Sequence, residues 1–246
     1  MASSSTKRTL AIILGTGPGT GAALALAFAK THSAVALLAR NEKNLASLVA
    51  EVEQAGGAAS PFSCDVTEAT SVDEAFKNIK DKFPEHSVTA AIFNANSPLN
   101  PAPFLELTED DLRPNVELNL YGAFRFSQAV LPLLLEAGGG FYGISGATAS
   151  VKGSAKFAAF APSKGALRLF SQSLAREFGP QGVHVAHVVI DGIIDTERTR
   201  GWMGAPKDAD SRIDAADLAQ AFVYLAQQPK NCWTHEMDVR PAAESF

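Results

Sequence analysis

The stretch LAIILGTGPGTGAALALAFAK, residues 10–30, decides the fold. Leu10–Leu14 is an unbroken apolar run of strand length, and an alanine- and leucine-rich helical pattern follows it after a turn crowded with glycine. The first N–H groups of a helix lack partners inside the helix. A glycine turn between strand and helix lets a phosphate approach them closely. Gly15, Gly19 and Gly21 are therefore read as the cradle for the pyrophosphate of a dinucleotide, with an ordinary glycine-rich structural turn as the alternative. No Gly-Lys-Ser/Thr follows the turn, so a kinase-type phosphate loop is excluded.

Strand and helix patterns alternate along the rest of the chain. SAVALLAR predicts a second strand, and Leu45, Leu48, Val49 and Val52 then share one helical face. AASPFSCDV is a third strand, edge-like because of Pro61. Ser71 and Glu74 form a capping-box pattern ahead of the stripe Val72, Ala75, Phe76 and Ile79. VTAAIFNAN, GGFYGIS, GVHVAHVVI and CWTHEMDVR complete about seven strands, with helices near 115–135 and 160–178 and a last one capped by Asp214. Residues 192–213 carry no clear period and are read as either a lid over a site or an irregular surface segment. The expected fold is α/β: a doubly wound, mostly parallel sheet with helices on both faces.

With 46% apolar and 19% charged residues in 246, the composition is that of a packed globular chain. No Pro/Gly/Ser linker divides it, so residues 1–8 are read as a polar tail and 9–246 as one domain. Asp and Glu number 26 against 21 Lys and Arg, without a basic block, so nucleic acid is not an expected partner. Cys64 and Cys232 have neither CxxC spacing nor a disulfide framework and read as reduced thiols. No secretory h-region and no membrane-length apolar run is visible, so the expectation is a cytoplasmic protein without a membrane span. His184 and His187 lack further ligands at a convincing interval, and no metal is expected.

The ordered series of motifs resembles the short-chain dehydrogenase/reductase family in its classical-length form, over residues 8–240. LGTGPGTG stands where that family has TGxxxGxG, with Leu14 for Thr; NAN, at Asn94–Asn96, stands for NAG. NLYG at Asn119–Gly122 matches the helix asparagine segment, FAPSK at Phe160–Lys164 occupies the YxxxK position, and DGIIDT at Asp191–Thr196 resembles PGxxxT. The resemblance implies an NAD(P)-dependent oxidoreductase acting on a small molecule, assembled as a homodimer or homotetramer. It places Asp65 and Val66 beside the adenine, Asn94 behind the cofactor loop and Thr196 near nicotinamide or phosphate. It makes Lys164 a ribose ligand and Asn119 part of a water-linked proton route.

Arg40 ends the second strand, where an acidic residue would accept bonds from a free ribose hydroxyl. A guanidinium there favours the 2′-phosphate of NADP(H), with Asn41 as a second polar contact. Bottom-up, Asp65 and Asn94 also suit simple turn-tightening roles, and Arg40 a solvated strand end.

The departures lie at the reacting end. Phe160 replaces the phenol that the resemblance expects, and a phenyl ring neither titrates nor donates a hydrogen bond. Ala147 falls on the usual Ser position, flanked by Ser145, the preferred substitute, and Thr148. Lys164 binds ribose, or passes a proton through water if burial lowers its pKa, or is a solvent-facing helix lysine. Asp191 faces the cleft or caps a turn, and Trp202 and Met203 line a substrate mouth or cover an interface. The expected activity is NADPH-dependent hydride transfer to a carbonyl or activated C=C of a small to moderately apolar molecule. A non-redox isomerase or cyclase, and a catalytically silent nucleotide-sensing subunit, are the alternatives that the missing phenol raises.

Overall fold

The computed structural model describes residues 8–208 and 210–243. The strands β1 (Arg8–Leu14), β2 (Ala34–Ala39), β3 (Ala59–Ser63), β4 (His86–Phe93), β5 (Gly140–Ser145), β6 (Val183–Ile190) and β7 (Glu236–Val239) form one sheet. Their order is β3-β2-β1-β4-β5-β6-β7, and every neighbouring pair is parallel. The helices are α1 (Thr20–Ala29), α2 (Ala46–Gln54), α3 (Ala69–Lys82), α4 (Glu109–Val116), α5 (Ala123–Glu136), α6 (Ala161–Phe178), α7 (Glu197–Met203) and α8 (Ala215–Ala226).

Side chains alternate across a strand, and β1 uses both faces. Leu10, Ile12 and Leu14 pack with Val72 of α3, Phe126 of α5 and Leu167 of α6. Ala11 and Ile13 pack with Leu24 and Phe28 of α1 and with Leu218 and Phe222 of α8. Continuous apolar runs such as Leu10–Leu14 follow from this double burial. Pro61 lies in β3, an outer strand, where a missing ladder donor costs least. The chain runs outward through β1, β2 and β3, then returns to place β4 on the other side of β1. That reversal opens a crevice at the carboxyl ends of β1 and β4, the usual ligand position in such a sheet.

Four expectations change. The long helix begins at Glu109, not near Asn115. Asp111 starts it by accepting bonds from the N–H (2.9 Å) and hydroxyl (2.8 Å) of Thr108. Pro114 lies inside this helix, and a proline reads locally as a boundary. A wider π-type turn, Glu117–Gly122, then joins α4 to α5 and carries Asn119. Ser71 and Glu74 do not form a capping box. Helix α3 already starts at Ala69, and the Ser71 hydroxyl instead accepts the Asp65 N–H at 2.9 Å. The aperiodic stretch 192–213 contains α7, whose N-cap is Thr196; none of its residues is buried, so it has no apolar stripe to betray it. Arg8, assigned to the polar tail, is the first residue of β1; the rest of that tail lies outside the described residues. Asp214 caps α8 as expected, accepting the N–H groups of Ala216 (2.7 Å) and Asp217 (3.2 Å). Both cysteines are free thiols. Among the described residues no helix is long and apolar enough to cross a membrane.

Candidate active site

The glycine turn is shaped by what surrounds it. Gly15 has φ +81°, and a Cβ there would lie 2.5 Å from the Ala95 nitrogen, so backbone of the β4 end occupies that space. Gly19, at φ +92°, leaves room for the Thr196 methyl, which a Cβ would meet at 2.6 Å. A Cβ on Gly21 would reach the Gly15 carbonyl at 2.6 Å, whereas Gly17 faces open space. Asn94 ties this turn to the neighbouring strand ends. Its amide nitrogen donates to the Gly15 carbonyl at 3.2 Å, and its side-chain oxygen accepts the Ser145 hydroxyl at 2.8 Å.

Next to Ser145 lies Lys164, on the first turns of α6 and only 1% exposed. Its ammonium donates to the Ser145 carbonyl at 3.2 Å, and burial brings its pKa down to about 8. The solvent-facing reading of this lysine is therefore wrong: the helix presents it inward, toward the end of β5. Asn119, fully buried in the π turn, donates to the hydroxyls of Ser97 (3.0 Å) and Ser163 (2.9 Å). Ser97 donates in turn to Asn115 at 2.6 Å, and Ser163 to the Phe160 carbonyl at 2.8 Å. Among the described residues the Asn119 side-chain oxygen has no hydrogen-bond partner. π turns of this kind recur at functional sites because the widened backbone re-aims one side chain.

Phe160 is buried at the start of α6 and lines the same cavity as Lys164 and Ser145. Of the two hydroxyls flanking Ala147, Ser145 donates to Asn94, and Thr148 donates to Asp191 at 2.6 Å. Asp191 also pairs with Arg240 at 3.2 Å, so its carboxylate is engaged within the protein.

Behind this wall sits a partly buried polar chain that no sequence spacing signals. His187 of β6 is wholly buried and its Nδ1 lies 3.1 Å from Glu236, which Arg168 of α6 grips at 2.6 and 2.7 Å. Burial outweighs the carboxylate and pushes the imidazole pKa down from 6.5 to about 4. The native state thus keeps a neutral ring while the unfolded chain protonates it below 6.5. Stability from this group is complete above pH 6.5 and is lost as pH falls toward 4, by up to about 3 kcal/mol. Urea unfolding across that window should show the decline, and H187Q should flatten it; an unchanged slope in H187Q would refute the assignment.

The remaining predicted residues are placed as follows. Arg40 directly follows β2 with an exposed side chain, its carbonyl accepting the Ser63 hydroxyl at 3.2 Å. Among the described residues no carboxylate pairs with its guanidinium. The Asn41 side-chain oxygen caps the next turn by accepting the Lys43 N–H at 3.1 Å. Asp65 tightens its own turn, accepting the Thr67 N–H (3.0 Å) and hydroxyl (2.7 Å). The Val66 side chain is core, and its carbonyl accepts from Arg125 at 3.3 Å. Thr196 caps α7 against Gly19, accepting the Thr199 N–H at 3.2 Å.

One cavity of about 810 Å³ connects these parts. Gly15, Gly17 and Gly21 line one end; Asn94, Ser145, Lys164 and Phe160 the middle; and Thr196, Arg198 and Trp202 the flank formed by α7 and its approach. Trp202 belongs to this mouth, while Met203 is exposed and does not line it. Among the described residues no three His, Cys, Asp or Glu side chains gather as a metal site.

The profile of the short chain dehydrogenase family matches residues 9–205. The chain belongs to the short-chain dehydrogenase family. A short-chain dehydrogenase crystal structure from Rhodopseudomonas palustris superposes with a TM-score of 0.79 at 33% identity, covering 95% of this chain and 98% of the other. An alcohol dehydrogenase from Thermococcus sibiricus, crystallised with 5-hydroxy-NADP, gives 0.83 at 25% identity, covering 97% and 99%. D-threitol dehydrogenase of Mycolicibacterium smegmatis is 29% identical over 224 residues, 88% of this chain and 85% of that enzyme. The protein is thus a chain of an oxidoreductase family, and Phe160 lines its cavity. Sequence reasoning missed Ser97, Asn115 and Ser163: serines and asparagines are common, and their meaning comes only from meeting Asn119. Ser163, directly before Lys164, had the nearest available signal.

Proposed function

We propose that this protein is an NADPH-dependent reductase that delivers hydride to a carbonyl or activated C=C carbon of a small to moderately apolar molecule. The observation that carries the reading is the junction of the glycine turn, Asn94, Ser145 and Lys164 on one cavity. The residues fit a nicotinamide dinucleotide: Gly15, Gly19 and Gly21 leave no room for side chains, and Gly17 faces open space at the head of α1. Gly15–Gly21 and Thr196 would hold its phosphates and Lys164 its nicotinamide ribose. When bound, the reduced nicotinamide supplies the hydride.

The protein's own residues do the rest. Lys164, with a pKa near 8, carries a proton at neutral pH and holds it at the Ser145 strand end. Asn119, fixed by Ser97 and Ser163, keeps one oxygen without a partner among the described residues as an acceptor for a water-borne proton path. Phe160 and Trp202 give the cavity its apolar surface. The family relatives, named as oxidoreductases and dehydrogenases, support hydride transfer over isomerisation, cyclisation or a silent subunit. Anaerobic mixing with carbonyl and enone panels should consume NADPH in proportion to reduced product. Conversion of the native substrate without hydride transfer would overturn the proposal.

The choice of NADPH rests on Arg40, and the NADP derivative bound by the Thermococcus enzyme supports it. R40A should weaken NADPH binding by about 1–2 kcal/mol and NADH binding much less, the worth of a charged hydrogen bond tempered by exposure. Calorimetric titration of both cofactors reads this directly; equal losses would remove Arg40 from the phosphate-discriminating role.

A further inference from the structure

The charges on the cavity wall are of one sign. Lys152, Lys164 and Arg198 line it, and among the described residues no Asp or Glu side chain does, although acidic residues outnumber basic ones in the chain. Lys152 and Arg198 have no carboxylate partner among the described residues, whereas Arg125, Arg168, Arg200 and Arg212 each have one. Arg198 lies on α7, on the same flank as Thr196, whose methyl sits beside Gly19. Lys152 lies on the connection from β5 to α6 and lines a second, shallow pocket of about 450 Å³. This side pocket shares Ala149, Lys152, Ser154 and Phe157 with the main cavity and includes no residue of the glycine turn. Its walls are otherwise mostly apolar, with Val151, Ala158, Ala161 and Pro162.

We infer that Lys152 is the anion-recognising residue of a substrate subsite where the two cavities meet, and that the substrate is a carbonyl compound carrying a carboxylate on an apolar body. The inference rests on the hydride-transfer reading for which group reacts, but the subsite itself is a statement about binding. A cavity whose only charged lining side chains among the described residues are cations concentrates anions, and the exposed Lys152 ammonium is unpaired among those residues and open to a ligand carboxylate. Phe157, shared by both cavities, supplies the apolar contact beside that charge.

Aryl 2-oxo and 4-oxo acids, each with its methyl ester, separate charge from shape. Their binding to wild type and K152M, with and without saturating NADP+, requires no turnover. The best acid should bind about five- to tenfold more tightly than its ester, the range between an exposed and a partly buried charged bond. K152M should bring the acid down to the ester's affinity, and K152E should invert the preference. Equal binding of acid and ester in wild type, a preference that survives K152M, or no binding by any acid would each overturn the subsite. NADPH consumption on the same pairs tests the other reading separately. Reduction without charge preference removes the subsite alone; Lys152-dependent binding without any reduction, for the acid that binds best, removes hydride transfer alone.

Discussion

Restoring the phenol should raise carbonyl reduction: F160Y is expected to increase kcat by about a hundredfold, the lower end of what a positioned general acid contributes. Residue 160 lines the cavity four positions before Lys164, at the first turn of α6. A hydroxyl added to this buried ring acquires the lysine's positive charge as a neighbour, which favours the phenolate and sharpens the acid. The ring already fills the space, so the fold should tolerate the added oxygen where the wall meets the cavity. Steady-state kinetics on the best carbonyl substrate, with NADPH affinity measured alongside, provides the comparison. An unchanged kcat in a folded, cofactor-binding F160Y would show that proton delivery from this position does not limit the reaction.

Removing the lysine should do the opposite. K164M is expected to lower kcat/KM by about a hundredfold or more, because under the proposed function it would delete both a charged hydrogen bond to the cofactor ribose and a proton held near the reacting oxygen. Folding stability should hold or rise, since a buried ammonium is desolvated and methionine fills similar volume without that cost. Loss of activity with an unchanged unfolding midpoint therefore reports on chemistry. The pH profile supplies the second readout. Burial lowers the lysine pKa from 10.5 to about 8, so the charged form is complete well below pH 8 and disappears as pH rises through it. Wild-type activity should decline across that step, and the residual activity of K164M should not. A step near pH 8 that persists in K164M would assign the titration to another group.

The sequence by itself determined the seven strands, most of the helices and their order, because strand runs, helical stripes and turn chemistry are local; α7, α4 and the π turn, which lack such a local signal, were not legible. Leu10–Leu14, the glycines from Gly15 to Gly21 and the Asp214 cap are each legible within a few residues. The resemblance added Asn119, Lys164 and Phe160 as an ordered set on the same ground. What Lys164 is could not be read that way. A lysine in a helix is ordinarily solvated, and only the packing of α6 against β6 and the end of β5 strips its water and lowers its pKa. Asn119 and Ser163 are far apart in sequence and become partners only when the π turn faces the head of α6. The same holds for His187 and Glu236, whose registered strands β6 and β7 bring a buried histidine against a partly exposed glutamate. Only the tertiary structure decided these contacts, because hydrogen-bond partnership and desolvation belong to the packed interior and leave no period in the chain.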